Sequence, residues 1–259
     1  MSDLISALIL AIVQGITEWF PISSSGHLVL FESILGYRGG LLFEVALHFG
    51  TLMAVFVYFG RDITDIVRDV LSLRFNTEHG KIGLLLVVAS IPAAVVGFFA
   101  RDFFDSVLSN LGVVAFGFAI TGLFLFIASV DFNGRKKGVF GFGKAFLVGI
   151  AQAMAIVPGI SRSGATISSG VLLGLSEKGA MKFAFLMSIP IIFGANILTI
   201  GNQTLPSNLI GATLVSFAVG LLTIHLTFKY LLIKRKNFRW FGAYALLLAL
   251  VIGVWILVR

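Results

Sequence analysis

The stretch Gln14–His27, QGITEWFPISSSGH, interrupts an apolar run with polar groups. It places an amide, a carboxylate, three serines, a proline, a glycine and a histidine between two hydrophobic segments. A second stretch, Gln152–Thr166 with the sequence QAMAIVPGISRSGAT, interrupts an apolar run in the other half of the chain. Irregular polar backbone at membrane depth is tolerated only where it is buried in protein or lines a cavity. These two stretches therefore decide how the surrounding apolar segments must fold.

The composition indicates a polytopic helical membrane protein. Of 259 residues, 58% are hydrophobic and 12% are charged, whereas a soluble domain carries about 25% charged residues. Apolar runs of about 20 residues, enough to cross a bilayer, recur along the chain and lack the alternation of membrane β-strands. The absence of cysteine excludes disulfides and cysteine nucleophiles. The net charge of +7 is explained by basic loops on one membrane side, so no nucleic-acid partner is expected.

Hydropathy predicts an all-α fold with six transmembrane helices and two re-entrant helical hairpins. The six predicted spans are Leu41–Gly60, Ile82–Ala100, Leu111–Val130, Gly179–Gly201, Asn208–Tyr230 and Phe241–Val258. Each predicted hairpin joins two shorter segments through a polar turn: Asp3–Phe20 with Ser25–Tyr37, and Ala145–Val157 with Ser163–Leu175. The mixed-charge segment Arg61–Lys81 is predicted to be a loop.

The two halves of the chain are similar in sequence. A constant offset of 138 positions aligns Gln14 with Gln152, Ser23 with Ser161, Ser25 with Ser163 and Gly26 with Gly164. Each half then holds one hairpin and three spans, and three crossings invert the second half relative to the first. We therefore expect a single membrane domain built as an inverted repeat, with a first repeat over about 1–130 and a second over about 139–259. Such repeats place a site near the midplane.

The basic residues predict the orientation. With this topology one membrane face receives fifteen of them: Arg61, Arg68, Arg74, Lys81, Arg135, Lys136, Lys137, Lys144, Lys178, Lys182, Lys229, Lys234, Arg235, Lys236 and Arg239. The other face receives three: Arg38, Arg101 and Arg259. Because cytoplasmic loops are enriched in Lys and Arg, the first face is predicted to be cytoplasmic. Both termini are then predicted on the outer face.

The turn of the second hairpin is typical of a phosphate site. Its glycine allows close backbone approach, and its hydroxyl groups flank an arginine in an apolar region, where a charge is costly and usually functional. A helix that begins near Ser163 would direct its N-terminal amides into the turn, and an arginine can form bidentate hydrogen bonds with phosphate. An ion pair between Arg162 and Glu18 is the structural alternative. The candidate phosphate-binding residues here are Gly159, Ser161, Arg162, Ser163 and Thr166.

The turn of the first hairpin supplies reactive groups. A serine beside a histidine and a carboxylate is the minimum set for nucleophilic catalysis with base assistance. Alternatively, His27 itself attacks phosphorus while Glu18 and Gln14, one helical turn apart, hold a hard divalent cation. One of the serines is also expected to cap a helix after Pro21. The candidates are Gln14, Glu18, Ser23, Ser24, Ser25 and His27.

A further pair, Glu44 and His48, lies one helical turn apart on the first full span, with Thr51 about another turn on. The spacing allows these residues to line the same cavity or to serve a structural role, and the sequence does not choose between these alternatives.

At these residues the chain resembles the undecaprenyl-diphosphate phosphatase family, also called the bacitracin-resistance protein family. The Glu/Gln-x-x-x-Glu motif matches Gln14 and Glu18 with glutamine first, and the Pro-x-Ser-Ser-x-Gly-His segment matches 21–27. The Pro-Gly-x-Ser-Arg-Ser-x-x-Thr motif matches 158–166. The match covers essentially the whole chain, and the two separated motifs occur in the expected order.

The resemblance implies a phosphatase that removes the terminal phosphate of undecaprenyl diphosphate and so recycles the carrier lipid of cell-wall polymers. It also implies that the active site opens to the outer face of the bacterial cytoplasmic membrane. It implies a divalent cation such as Mg²⁺ or Ca²⁺, with Glu18 and Gln14 as candidate ligands. Gln14 in place of a glutamate removes one charged ligand, so a two-carboxylate cation site is not expected. The implied partners are the polyprenyl diphosphate and membrane lipids, and a homodimer is left open.

Ser24 is expected to attack the terminal phosphorus, with His27 as general acid or base and Glu18 positioning either His27 or the cation. His27 remains the alternative nucleophile. A polyprenyl-phosphate flippase or secondary transporter is the alternative function, because inverted repeats with broken helices also suit alternating access.

Overall fold

The computed structural model describes residues 3–37, 39–99, 110–131, 139–200, 207–232 and 234–258. For residues 198–200 and 207–208 it describes the backbone only. These residues form eleven α-helices, which confirms the all-α prediction. The helices are α1 Asp3–Thr17, α2 Ser24–Leu35, α3 Gly40–Tyr58, α4 Gly60–Leu71, α5 Glu78–Phe99, α6 Leu111–Ser129, α7 Phe142–Met154, α8 Arg162–Leu172, α9 Glu177–Ile200, α10 Ser207–Leu226 and α11 Phe238–Val258. A π-turn, Thr227–Leu231, extends α10, and a short 3₁₀ turn, Arg235–Asn237, precedes α11.

Six helices are long and apolar enough to cross a membrane, as predicted: α3, α5, α6, α9, α10 and α11. Many of their large apolar side chains are exposed, for example Phe116 and Leu250 at 64% each. In a membrane such surfaces contact lipid rather than water. The chain is therefore a multi-pass membrane protein. The predicted span ends Ala100 and Gly201, and Arg38, Arg101, Arg135, Lys136, Lys137 and Arg259 of the charge count, lie outside the described residues.

The helices that flank the two polar stretches are shorter. They contain 15 residues in α1, 12 in α2, 13 in α7 and 11 in α8. At about 1.5 Å per residue they measure about 16–22 Å, whereas the hydrocarbon core of a bilayer is about 30 Å thick. Each stretch therefore joins two helices that are individually too short to cross.

The prediction of a loop over Arg61–Lys81 is wrong in its first half, where α4 forms. Its apolar residues Ile63, Ile66 and Val70 recur at helical spacing and face the core, while the opposite face is charged. This is the pattern of an amphipathic surface helix. The high density of mixed charge concealed that period, and Ile66 alone of this helix is fully buried.

The helix contacts follow a repeated pattern. Helix α1 packs against α2 and α10, and α7 packs against α8 and α5. Helix α3 packs against α10, and α9 packs against α5. Two further contacts join α3 to α9 and α6 to α11. Exchanging α1, α2, α3, α5 and α6 for α7, α8, α9, α10 and α11 maps these contacts onto one another. The contacts of α8 with α6 and α9, of α2 with α6 and of α1 with α3 lie outside this correspondence, and α4 has no counterpart among the described helices.

Close backbone approach fixes the turn before α8. A Cβ atom on Gly117 of α6 would lie 2.3 Å from the Pro158 carbonyl oxygen, so only glycine fits there. Gly159 has φ +91°, a conformation that L side chains rarely adopt, and its own Cβ would lie 2.2 Å from the Val114 carbonyl oxygen. Thr121 of α6 donates a hydrogen bond to the Gly159 carbonyl at 2.9 Å. Helix α6 thus positions the second polar turn through close backbone contact and a hydrogen bond.

Candidate active site

The two polar stretches meet inside the protein, as the sequence predicts. The Ser163 hydroxyl, at the start of α8, donates a hydrogen bond to the Phe20 carbonyl at 2.9 Å. The Arg162 guanidinium donates to a Glu18 carboxylate oxygen, which joins the two turns by an ion pair. A Cβ on Gly26 would lie 3.0 Å from the Gly159 Cα, so the turns pack backbone against backbone. We call this contact region the junction.

Glu18 is the centre of the junction. Its side chain is 3% exposed, and a buried carboxylate requires charge pairing and hydrogen bonds. Oε1 accepts from Arg162, while Oε2 accepts from the Ser24 hydroxyl at 2.5 Å and from the Gln14 amide at 2.9 Å. His48 Nε2 lies 3.5 Å from the same Oε2. Glu18 therefore positions the side chains of Ser24, Arg162 and Gln14.

Two helices begin at the junction with a serine N-cap, although the backbone differs: Ser23 has φ +68°, whereas Ser161 is extended with φ −71°. Ser23 is the N-cap of α2, and its hydroxyl accepts from the Gly26 amide at 3.3 Å. Ser161 is the N-cap of α8, and its hydroxyl accepts from the Gly164 amide at 3.0 Å. The Ser23 cap confirms the expectation that one of the serines after Pro21 caps a helix, and the Ser161 cap is an additional finding. Because helix N-termini carry partial positive charge, both helices favour an anion at the junction.

The predicted phosphate-binding hydroxyls are not equally placed. The hydroxyl groups of Ser161 and Ser163 are hydrogen-bonded, with their oxygens 3.2 Å apart. Those of Ser23 and Ser25 are hydrogen-bonded at 3.3 Å, and all four lie beside the helix starts. Thr166 is different, since its hydroxyl donates to the Arg162 carbonyl at 2.7 Å, one turn back along its own helix. Such back-bonding is a common way for threonine to satisfy its donor inside a helix. The Thr166 hydroxyl donor is therefore directed along α8.

Arg162 keeps binding capacity beyond its ion pair. The ion pair uses one of its terminal nitrogens, and a guanidinium carries five N–H donors. The guanidinium also lies 5.7 Å from the centre of the buried Trp19 ring, which stabilises a cation. The structural alternative, pairing of Arg162 with Glu18, is thus present in the structure, and donors remain for an anionic ligand.

Of the two roles expected for Glu18, positioning His27 or the cation, the structure shows no contact for the first. His27 Nδ1 lies 2.6 Å from the Ser23 carbonyl oxygen, and Nε2 lies 2.7 Å from the Tyr244 hydroxyl. His27 lies about one helical turn after the N-cap Ser23, so its Nδ1 contacts the Ser23 carbonyl oxygen and not a residue of α1. The histidine that approaches Glu18 is His48 of α3.

His48 and Tyr244 join the candidate site in the structure. His48 carries a sequence signal, its i, i+4 spacing from Glu44, and its Nδ1 lies 2.8 Å from the Glu44 carbonyl oxygen. The Thr51 hydroxyl donates to the His48 carbonyl at 2.9 Å, so Thr51 has a backbone partner in this helix. Tyr244 lies in the last span, 217 residues from His27. No local motif could have linked them.

An apolar groove of about 450 Å³ runs beside the junction. Its polar lining groups are Thr17, His27 and Tyr244. The remaining lining residues are apolar: Val13, Ile16, Phe20, Ile22, Phe31, Trp240 and Phe241. The groove is thus a mostly apolar space between α1, α2 and α11, and the part lined by the hydrogen-bonded pair His27 and Tyr244 is called its polar end.

The residues that would hold a divalent cation are few. In the described part of the chain, no group of three or more His, Cys, Asp or Glu residues is arranged to bind a metal. Gln14 Oε1 is buried and has no hydrogen-bond partner there, and Glu18 is adjacent to it. Both are oxygen donors, which Mg²⁺ and Ca²⁺ prefer. The residues fit a cation that takes most of its remaining ligands from phosphate and water.

These features define a class: an integral membrane protein that gathers a serine, a carboxylate and an arginine in a polar site between its helices. Residues 7–251 match the model of the family described as bacitracin resistance protein BacA, and the chain belongs to that family. It is 39% identical to an undecaprenyl-diphosphatase of Rubrobacter xylanophilus, covering 99% of this chain and 100% of the relative. Undecaprenyl-diphosphatases of Thermosipho melanesiensis and Methanococcus vannielii are 37% and 36% identical, each over 94% of this chain and 96% of the relative.

The central ion pair gives a first prediction. Arg162→Ala leaves Glu18 buried without its cationic partner, and we expect a loss of about 3–5 kcal/mol in the free energy of unfolding. The double variant Glu18→Gln with Arg162→Ala removes both charges and should recover part of that loss. Thermal unfolding in detergent micelles measures both. Lys182→Ala, which breaks a partly exposed pair with Asp62, is the control and should cost about 1 kcal/mol or less. A double variant no more stable than Arg162→Ala would contradict the ion-pair account.

Proposed function

We propose that this chain hydrolyses undecaprenyl diphosphate to undecaprenyl phosphate and inorganic phosphate. One observation carries the proposal: the Ser24 hydroxyl donates to Glu18 at 2.5 Å beside Arg162 and two helix N-termini. A serine held by a carboxylate opposite a cation suits attack on phosphorus. The names of the relatives support phosphatase activity over the alternative of a flippase. The product would return to the assembly of cell-wall polymers, and the family description links such proteins to bacitracin resistance.

The reaction begins when the substrate's terminal phosphate enters the junction. Arg162 turns part of its guanidinium from Glu18 to the phosphate, with the amides at the start of α8 as further donors. Glu18 loses a stabilising positive charge at that moment and becomes a stronger base. Ser24 Oγ then attacks the terminal phosphorus and its proton passes to Glu18. The bond from phosphorus to the bridging oxygen breaks, and undecaprenyl phosphate leaves.

Water completes the cycle by hydrolysing the phosphoserine, with His27 as the acid–base group through Nε2. In the alternative role of these residues, Gln14 and Glu18 would hold a divalent cation, which would neutralise phosphate charge and make phosphorus more electrophilic. Glu18 would then not serve as the base for Ser24. His27 as nucleophile is the competing mechanism, and it would produce a phosphohistidine instead of a phosphoserine. The geometry favours Ser24, because its hydroxyl already has a carboxylate to receive the proton.

Phosphate release from undecaprenyl diphosphate in detergent tests this mechanism. Ser24→Ala should lower turnover by roughly 10³-fold or more, as the loss of a nucleophile does. Ser33→Ala, on an exposed position of the same helix, is the control and should match the wild type. Full activity in both Ser24→Ala and Arg162→Ala would refute the assignment, and a trapped phosphohistidine would move the nucleophile to His27. The same assay with EDTA, then with Mg²⁺ or Ca²⁺ added back, tests the cation requirement.

The apolar groove is proposed to hold the first isoprene units of the substrate. This occupant is supported by continuity: the groove's polar end is His27, and its apolar walls lead away between α1 and α11. A lipid diphosphate bound there would place its phosphates at the junction and its chain toward the bilayer. The isoprenoid chain enters the groove from lipid and not from water. Its binding is therefore favoured by packing contacts more than by the hydrophobic effect.

A polar substitution in the groove should therefore weaken binding of long-chain substrates. Ile16→Gln is expected to raise KM for undecaprenyl diphosphate about fivefold, close to 1 kcal/mol, with kcat little changed. Ile12→Gln is the matched control: it lies one turn away on the same helix, is 43% exposed against 36% for Ile16, and is outside the groove lining. Equal KM values for the two variants would exclude this groove as the chain site.

We also propose that the two short helix pairs are re-entrant hairpins of an inverted repeat. Four observations support this: the short helices, the contact of their turns, the matching serine N-caps and the exchangeable pattern of helix contacts. The excess of basic residues on one side supports a cytoplasmic location for that side. The first hairpin would then enter from outside and the second from the cytoplasm.

Single cysteines test this topology in a chain that has none of its own. Tyr37→Cys, after the first hairpin, should react with a membrane-impermeant maleimide on intact cells. Ser176→Cys, after the second, should react only once the membrane is permeabilised. The reverse pattern would invert the orientation, and labelling of both positions from one side would exclude opposed hairpins.

A further inference from the structure

Tyr244 contacts His27 through a hydrogen bond and through near-parallel rings. Its hydroxyl lies 2.7 Å from His27 Nε2, and the two ring planes are within 6° of each other with centroids 5.7 Å apart. Phe118 contacts the imidazole edge to face, with centroids 5.1 Å apart. His27 itself is only 3% exposed. The imidazole is therefore held by Ser23 at one nitrogen, Tyr244 at the other and Phe118 against the ring.

The hydrogen-bond partners determine which nitrogen of the His27 imidazole carries the proton. The Ser23 carbonyl can only accept, so Nδ1 carries the proton in its 2.6 Å contact. In the neutral imidazole Nε2 is then the acceptor, and the Tyr244 hydroxyl donates to it. The lone pair that would take a proton from water, or attack phosphorus, is therefore the one that Tyr244 engages.

The location of Tyr244 links this contact to the substrate. It belongs to α11, in the opposite half of the chain from His27, and both residues line the groove. The Tyr244 side chain is 43% exposed, so its hydroxyl reaches inward while part of its ring stays open to the groove. A buried tyrosine hydroxyl generally needs a partner. Here that partner is the nitrogen at the polar end of the groove.

We propose that Tyr244 is a positioning residue that holds neutral His27 with Nε2 facing the polar end of the groove. The inference rests on the proposed phosphatase function, in which His27 acts through Nε2. Tyr244 fixes the rotamer and tautomer of the imidazole before substrate arrives, and it yields Nε2 when the reaction needs that lone pair. Since α11 carries Tyr244, the second half of the chain contributes to the acid–base group of the first.

Tyr244→Phe tests the proposal by removing the hydroxyl and keeping the ring. One neutral hydrogen bond is lost, so kcat for undecaprenyl diphosphate should fall about three- to tenfold, while KM stays within about twofold. In ¹⁵N-histidine-labelled protein the Nε2 resonance of His27, assigned by its loss in His27→Gln, should shift. Tyr230→Phe removes the hydroxyl of a tyrosine that is 56% exposed and absent from the groove lining, and it should change neither quantity.

A double variant separates positioning from a general loss of structure. If Tyr244 acts through His27, adding Tyr244→Phe to His27→Gln should lower kcat no further, because coupled residues are not additive. Wild-type kcat in Tyr244→Phe, or an additive loss in the double variant, would overturn the proposal. An unshifted resonance would overturn it as well. A wild-type protein that releases no phosphate would instead refute the proposed function, while the resonance would still decide whether Tyr244 holds His27.

Discussion

The ion pair between Glu18 and Arg162 is the interaction on which the junction depends. Neither charge would be tolerated alone among apolar helices, since an isolated buried charge costs several kcal/mol. The pair brings together two turns that lie 144 residues apart, and the Ser163 hydroxyl bond to the Phe20 carbonyl aligns them. Ser24 and Gln14 then take their positions from the same carboxylate. One pair of charges thus determines the arrangement of the reactive groups.

The same pair balances the charge of the proposed reaction. Two helix starts and one arginine give the junction a positive character, and in the free protein Glu18 compensates it. An incoming diphosphate competes with Glu18 for the guanidinium, so binding of the anion releases the carboxylate to act as a base. The site therefore does not need a permanently strong base in the membrane. A base that strengthens only on substrate binding also leaves Ser24 unreactive in the empty site.

Local patterns predicted much of this structure. Length and hydropathy identified the six spans. The repeated Ser-x-Ser-Gly pattern predicted that the two polar turns meet, and a serine cap was predicted only for the helix after Pro21. Helix α4 was missed because its dense mixed charge concealed an apolar period that tertiary packing reveals. The partners of His27 could not be predicted, because Tyr244 comes from a distant span and has no motif of its own. His48 had a weak signal in its spacing from Glu44, but only the packing of α3 beside α1 brings it to Glu18.

The sequence separation of the ion pair also bears on how the protein is made. A ribosome delivers Glu18 to the membrane 144 residues before Arg162. During that interval the nascent first half holds a carboxylate without its cation, and such a group must stay protonated or remain in contact with water. The start of α8 therefore supplies the missing positive charge, through Arg162. Biogenesis of the site is a late event, and a chain interrupted before α8 has neither the charge balance nor the anion-binding half of the junction.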